Sequence, residues 1–180
     1  MANALIVGDG PGGLSAALFL AKNDVDVDVF GTDDTPMHKA MLYNYLGIEE
    51  MTGSDFQNIA RGQVAGFGGR LHETKVESVE KTDDGFLLTT ADGDTYEGDY
   101  IVIAVSNKGL LDEFGIERDG GQARVDRNGR TNVDDAYAIG WATRNMKIQA
   151  IISAGEGGAA ALDILSNEAG EDVHDFDVVE

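Results

Sequence analysis

Three unbroken apolar runs set the rhythm of the chain: Ala4-Leu5-Ile6-Val7, Tyr100-Ile101-Val102-Ile103-Ala104-Val105 and Ala136-Tyr137-Ala138-Ile139. Runs of this length, without alternation, are typical of parallel strands covered on both faces. Val25-Asp26-Val27-Asp28-Val29-Phe30 alternates with period two and predicts a further strand, and Arg70 to Val76 predicts another. Between them lie helical stretches. Leu14 to Lys22 is alanine-rich and ends at Asn23-Asp24. Ser54 to Phe67 carries Ser54 as the predicted N-cap, and Ile148 to Leu165 is long and contains Gly155, Gly157 and Gly158. A different texture separates the halves. Val76–Glu80, Phe86–Thr90 and Thr95–Glu97 are short strands split by Asp84-Gly85 and Asp92-Gly93, which predicts an antiparallel meander. Met37 to Leu46 reads as a short helix or irregular segment. Lys108 to Gly121 reads as a connector anchored by Leu110, Leu111 and Phe114, and the acidic tail Gly170 to Glu180 offers Val173, Phe176 and Val178 for pairing. The pattern predicts an α/β fold of Rossmann-like type, with a parallel central sheet and a small antiparallel meander.

One loop changes this from a fold into a candidate site. Gly8-Asp9-Gly10-Pro11-Gly12-Gly13 fits G-x-G-x-x-G, follows a strand, opens a helix and precedes a second strand. In that context the pattern predicts a dinucleotide pyrophosphate site. The first glycine permits the turn, the second lets backbone approach the phosphates, and the third lets helix and strand pack closely. Pro11 suits a first helical turn, where its missing N–H costs nothing, and the pyrophosphate would cap the free amides there. The acid that binds the ribose hydroxyls is expected to end the second strand, but Phe30-Gly31 stands there. Asp33 or Asp34 in the following loop is the nearest replacement, or else a solvated turn acid. The glycines of the last helix are read as close packing on the sheet, since each costs up to about 1 kcal/mol inside a helix.

Charge narrows the partners. Thirty-three acidic residues face thirteen basic ones, for a net charge of −20 spread over all 180 residues. Self-repulsion of that size strains a compact fold and is screened at molar salt, where the Debye length is about 3 Å. A cytoplasmic protein of a salt-accumulating halophile is the expectation, with an ordinary acidic protein as the alternative. Nucleic acid is excluded as a partner, because phosphate neutralisation needs basic patches. Met1-Ala2-Asn3 carries no basic region, so no secretory leader is expected, and no apolar run reaches the ~20 residues of a membrane helix. The chain has no cysteine, and His38, His72 and His174 make no metal-ligand spacing, so no metal site is expected.

The residues from Gly8 to Phe30 resemble the FAD-binding unit of the two-dinucleotide flavoproteins, in particular the thioredoxin reductase-like family of pyridine nucleotide-disulfide oxidoreductases. Asn44-Tyr45-Leu46-Gly47 resembles that family's Asn-aromatic-Pro-Gly turn beside the flavin, and Gly53-Ser54-Asp55-Phe56 the start of its next helix. Thr131-Asn132-Val133 followed by Tyr137-Ala138-Ile139-Gly140 resembles its closing motif, and Gln149-Ala150 its Arg-Gln-Ala at the last helix. The likeness runs from Ala4 to about Ala169. It implies FAD held by Gly8, Gly10, Pro11, Gly12, Gly13, Gly31, Asn44, the backbone of Val76 against adenine, Ala104, Gly140, Trp141, Gln149 and Ala150. NAD or another ADP-containing ligand is the alternative. The departures are Ala104-Val105-Ser106-Asn107 in place of Ala-Thr-Gly, Trp141 in place of the closing Asp, and no second glycine fingerprint or Cys-x-x-Cys between Asn107 and the closing segment at Thr131, where the family inserts its NADPH domain. One FAD-binding domain over residues 1–180 is expected, its parts 1–107 and 108–180 matching the two halves that flank that insertion.

Function divides accordingly. One expectation is a single-domain flavoprotein, an oxidoreductase or electron-transfer module with an external reductant, a redox partner protein and, by resemblance, a homodimer. It would not reduce thioredoxin by the family's cysteine route. The other is a non-catalytic nucleotide-binding or regulatory relic of the fold. No general acid or base stands out. His38 is nearest to the expected flavin side and reads more simply as a surface residue.

Overall fold

The computed structural model describes residues 2–113 and 115–179. The first unit is β1 (Asn3–Val7), α1 (Pro11–Lys22) and β2 (Asp26–Phe30). A short 3-10 turn over Pro36–Lys39 and a two-residue ladder of β3 (Met41–Leu42) with β4 (Met51–Thr52) lead into α2 (Gly53–Gly66) and β5 (Arg70–His72). The meander follows as β6 (Val76–Thr82), β7 (Gly85–Thr90) and β8 (Thr95–Gly98). Then come β9 (Tyr100–Ile103), α3 (Lys108–Glu113), a small ladder of β10 (Arg118–Asp119) with β11 (Gln122–Ala123), β12 (Ala136–Ala138) and α4 (Ala150–Ala169).

The central sheet has the order β12-β9-β1-β2-β5, parallel throughout. From β1 the chain moves to β2 on one side and later to β9 on the other. The carboxyl end of β1, where the glycine loop begins, is therefore the topological switch point, the place where open α/β sheets bind ligands. Each apolar run is split between two cores. Ala4, Ile6, Val27, Val29, Val102, Tyr137 and Ile139 face α1 and α4 with Leu14, Ala17, Leu20, Ala161 and Ile164. Leu5, Val7, Ile101, Ile103, Ala136 and Ala138 face the other way, under Val79, Phe86 and Leu88 of the meander and Leu110 and Leu111 of α3. Strand period two is thus present inside runs that look uniform, because helices cover one face and the meander the other.

Several sequence expectations change. The N-cap of α2 is Thr52, whose hydroxyl accepts the Asp55 N–H at 3.1 Å, and Ser54 lies inside the first turn. The glycines of α4 do not all pack on the sheet. A β-carbon at Gly157 would collide with the backbone of Gly12 in α1, Gly158 lies against Phe19 of α1, and Gly155 faces open space. The tail forms no strand among the described residues. Val173 packs on the helical core while Phe176 and Val178 stay exposed. The segment is tied down by charge instead, Lys22 at the end of α1 meeting Asp175 at 2.5 Å and Asp177 at 2.8 Å. Leu110 and Leu111 anchor the connector as expected; Phe114 lies outside the described residues. Among the described residues no helix is long and apolar enough to cross a membrane.

Candidate functional site

The glycine loop takes the shape its sequence requires. Gly8 has φ of 110°, in the region that favours glycine, and its N–H donates to Phe30 O at 2.8 Å, tying the turn to the end of β2. Gly13 packs on the carbonyl of Gly8 so closely that no β-carbon fits. Pro11 opens α1, and Gly10 at the N-cap brings no side chain to its free amides. At Gly10 itself the nearest atom to a built β-carbon is Thr35 Oγ1 at 3.8 Å, so backbone is open to approach.

This loop forms one wall of a cleft of about 470 Å³, within the range of about 300–1,000 Å³ usual for small-molecule sites. Of the residues expected from sequence, Gly8, Gly10, Pro11, Gly12, Ala104, Gly140, Trp141, Gln149 and Ala150 line it. The other walls come from the ends of β9 and β12, the loop Asp34–Met37 and the start of α4, which adds Ile148 and Ser153. Gly13 sits behind the loop, and Gly31 behind Asp9. Asn44 lies outside the cleft, its Nδ2 donating to Gln149 Oε1 at 3.3 Å, so that the turn braces the start of α4. Val76 also lies outside, at the start of β6 and against the meander-side core. Tyr45 leans on Phe56 of α2 with ring centroids 5.4 Å apart, and burial raises its phenol pKa. His38 is held between Ser54 Oγ at 2.9 Å and Asp33 O at 3.0 Å, a loop contact rather than a cleft group.

Two helices point at the cleft by their N-termini. Neither α1 nor α4 has a side-chain cap, and neither has an acid in its first turn, although 33 of 180 residues are acidic. Each such end carries roughly half a positive charge and several unpaired amides. Among the described residues no lysine or arginine lines the cleft, so its attraction for an anion comes from backbone amides and neutral side chains such as Thr35 and Gln149. One amide is already taken: Gly140 N–H, at the end of β12, donates to Glu156 Oε2 at 2.7 Å, and Glu156 also pairs with Arg144. Trp141, 43% exposed, stands at the rim in a 3-10 turn.

Sequence reasoning passed over Asp9, Gln57 and Arg61. Asp9 is 7% exposed, Gln57 Nε2 donates to Asp9 O at 2.5 Å, and Arg61 Nη1 meets Asp9 Oδ2 at 2.6 Å. A signal was present: Gln57 and Arg61 share a helical face with Gly53 and Val64, a spacing for burial rather than for solvent. Of the two loop acids, Asp34 lines the cleft, whereas Asp33 turns its carboxylate to His38 at 3.2 Å.

Comparison with known proteins identifies the family and the fold. Residues 48–158 match the family model described as pyridine nucleotide-disulphide oxidoreductase. A thioredoxin reductase of Helicobacter pylori is 30% identical over 109 residues, covering 58% of this chain and 35% of the relative. A dihydrolipoyl dehydrogenase of Halobacterium salinarum is 30% identical over 147 residues, covering 76% and 28%. The chain thus spans about a third or less of the curated relatives it matches. Among solved structures, an atypical thioredoxin reductase of Desulfovibrio vulgaris Hildenborough superposes with a TM-score of 0.83 at 19% identity, over 95% of this chain and 99% of that one. A ferredoxin-flavin thioredoxin reductase of Clostridium acetobutylicum gives 0.79 at 19%, over 94% and 98%. The glycine loop at the switch point, with two helix ends converging on it, is therefore that of a member of the pyridine nucleotide-disulphide oxidoreductase family.

Proposed function

We propose that the chain is an FAD-binding flavoprotein of thioredoxin reductase-like type, an electron-transfer module whose reductant comes from outside its 180 residues. The observation that carries this reading is the convergence of two uncapped, acid-free helix N-termini on one cleft at the switch point. That arrangement fits a dinucleotide. The backbone of Gly8 and Gly10 and the first turn of α1 would hold the pyrophosphate, and the start of α4, at Gln149-Ala150, would favour negative charge on the ring system. Asn44 acts through Gln149 as a positioning residue, and Trp141 offers an aromatic face at the rim. FAD, when bound, supplies the redox chemistry, while the protein orients it and shields one side.

With no cysteine in the chain, a dithiol relay is not available within it, so electrons arrive from and leave to groups outside these 180 residues. One structural neighbour is a ferredoxin-flavin thioredoxin reductase, which makes ferredoxin the first donor to test, alongside a second copy of the chain as a structural partner. We place the protein in the cytoplasm of a salt-accumulating cell on its charge. A second reading, a nucleotide-binding relic without redox activity, is favoured by the Gly140 amide already occupied by Glu156 and by Trp141 where the family's Asp is expected.

The visible spectrum of protein purified in molar salt tests the proposal. Stoichiometric flavin absorbance, bleached by photoreduced ferredoxin, is the expected outcome. A colourless protein that also refuses added FAD would overturn it, and NAD or ADP found by mass spectrometry would favour the second reading.

A further inference from the structure

Strand β2 (Asp26–Phe30) runs into Gly31 without the acid that a ribose requires at this point of a dinucleotide unit. The surroundings of Gly31 reveal where a counterpart lies. A β-carbon built on Gly31 would stand 2.7 Å from the β-carbon of Asp9 and closer still to its carboxyl carbon and Oδ1. The Asp9 carboxylate therefore fills the space into which a side chain at position 31 would project. The acid reaches that space from the glycine loop rather than from the strand.

We infer that Asp9 reads the ribose hydroxyls of the adenosine half, and that the cleft selects adenosine diphosphate ligands with a free 2′-hydroxyl. This rests on the nucleotide reading above. Asp9 lines the cleft between Gly8 and Gly10. Its Oδ2 accepts the Asp33 N–H at 2.9 Å and the Arg61 guanidinium at 2.6 Å, while Oδ1 has no protein partner among the described residues. A carboxylate offers about four acceptor sites, so the Oδ1 edge is left for donors, and two vicinal hydroxyls are donors. A bare carboxylate in a loop that must hold a diphosphate would repel it. Arg61 removes that repulsion, and Glu73 at 2.9 Å holds the other end of the same guanidinium. Gln57, fully buried, grips the Asp9 carbonyl and so fixes the backbone from which the carboxylate is aimed. A 2′-phosphate would bring a second negative charge against Asp9 and is disfavoured. Gly31 follows from the same geometry, since any larger residue would displace Asp9.

Calorimetric titration with ADP and with 2′-deoxy-ADP tests this without requiring flavin. The wild-type protein is expected to bind ADP about tenfold or more tightly than the deoxy compound, the scale of one hydrogen bond to a charged group. In Asp9→Ala that ratio should fall to about one, while circular dichroism reports the fold. The exchange Asp9→Gly with Gly31→Glu, which returns the acid to the strand end, should restore a preference for ADP. A wild-type ratio near one, or Asp9→Ala binding ADP as tightly as wild type, would overturn the inference and leave Asp9 as a counter-ion to Arg61. Failure of the wild-type protein to bind ADP at all would remove the nucleotide reading itself, and this inference with it.

Discussion

Asp28 lies on the meander face of β2, and the way it is satisfied illustrates how this acidic chain buries charge. Arg70 forks onto it, with Nε to Oδ1 and Nη2 to Oδ2 both at 2.8 Å, and His72 Nε2 meets Oδ1 at 2.7 Å. Phe30 stacks on the His72 ring at 4.8 Å, which keeps the imidazole in place. Burial pushes the Asp28 carboxyl upward, but the Arg70 and His72 bonds outweigh it and hold its pKa below the ordinary carboxylate range. Asp163 behaves alike, burial opposed by Arg130, Tyr137 and Asn128 with a net lowering. The sign follows. A carboxylate whose pKa is depressed by folding contributes stability that is present above its unfolded value of about 4 and lost as pH falls through the folded value. Stability should therefore hold down to about pH 4 on account of these two groups and decline below it. Asp28→Asn should cost about 1–3 kcal/mol at neutral pH, several degrees of Tm for a chain of this size, and should make the acid decline shallower. Arg70 is half exposed, so solvent screens the pair and the cost stays on the hydrogen-bond scale. Thermal melts of both proteins between pH 3 and about pH 7 check this.

Among the elements, the crossing of α1 and α4 is the decisive contact, because it brings both free helix ends to the same cleft. Gly157 sits against the carbonyl of Gly12, with no space for a β-carbon, whereas Gly155 two residues away meets nothing within 4 Å. Gly157→Ala should force the helices apart and cost about 1–3 kcal/mol or more, as overpacking does. Gly155→Ala should stabilise by about 0.4–1 kcal/mol through helix propensity and a less flexible unfolded chain. Urea titration of the two variants separates these opposite signs. The same contrast explains what could be read in the sequence. The apolar runs and the turn dipeptides predicted the sheet strands and the meander, since burial on two faces and Asp-Gly turns leave local marks. The partners of the glycines left none, because Gly12 and Gly157 are far apart along the chain. Thr52 and Ser54 are equally good caps on chemistry alone, and only the backbone entry into α2 decides between them. Within the site, the loop was legible from spacing, and the start of α4 only through its resemblance to the family's motif. Asp9 was not, because its meaning depends on Arg61, 52 positions away, and on the emptiness at Gly31.

For the molecule as a whole, charge is the dominant quantity. A net charge of −20 on 180 residues opposes compaction everywhere at once; the ion pairs among the described residues offset only part of it, and those between two exposed partners, such as Arg70 with Asp26 and Arg124 with Glu117, contribute little. Raising salt from tens of millimolar to molar shortens the Debye length from more than 10 Å to about 3 Å and removes most of that opposition. The melting temperature should climb with potassium chloride over this range, and a protein more stable in dilute buffer would contradict the halophilic reading. The tail responds to the same variable in the opposite sense, because Lys22 holds Asp175 and Asp177 by charge. Salt should loosen the last residues while tightening the body, a difference that amide hydrogen exchange can resolve.

The two helix ends that face the cleft are remote from each other along the polypeptide, α1 beginning at Pro11 and α4 at Ala150. A ligand lying across both would fasten together segments that are otherwise joined only by packing. To leave α1, α4 would then have to give up the ligand as well as its packing partner. Occupancy of the cleft and the seating of α4 would be two readings of one equilibrium, so a bound nucleotide should slow amide exchange in both helices together.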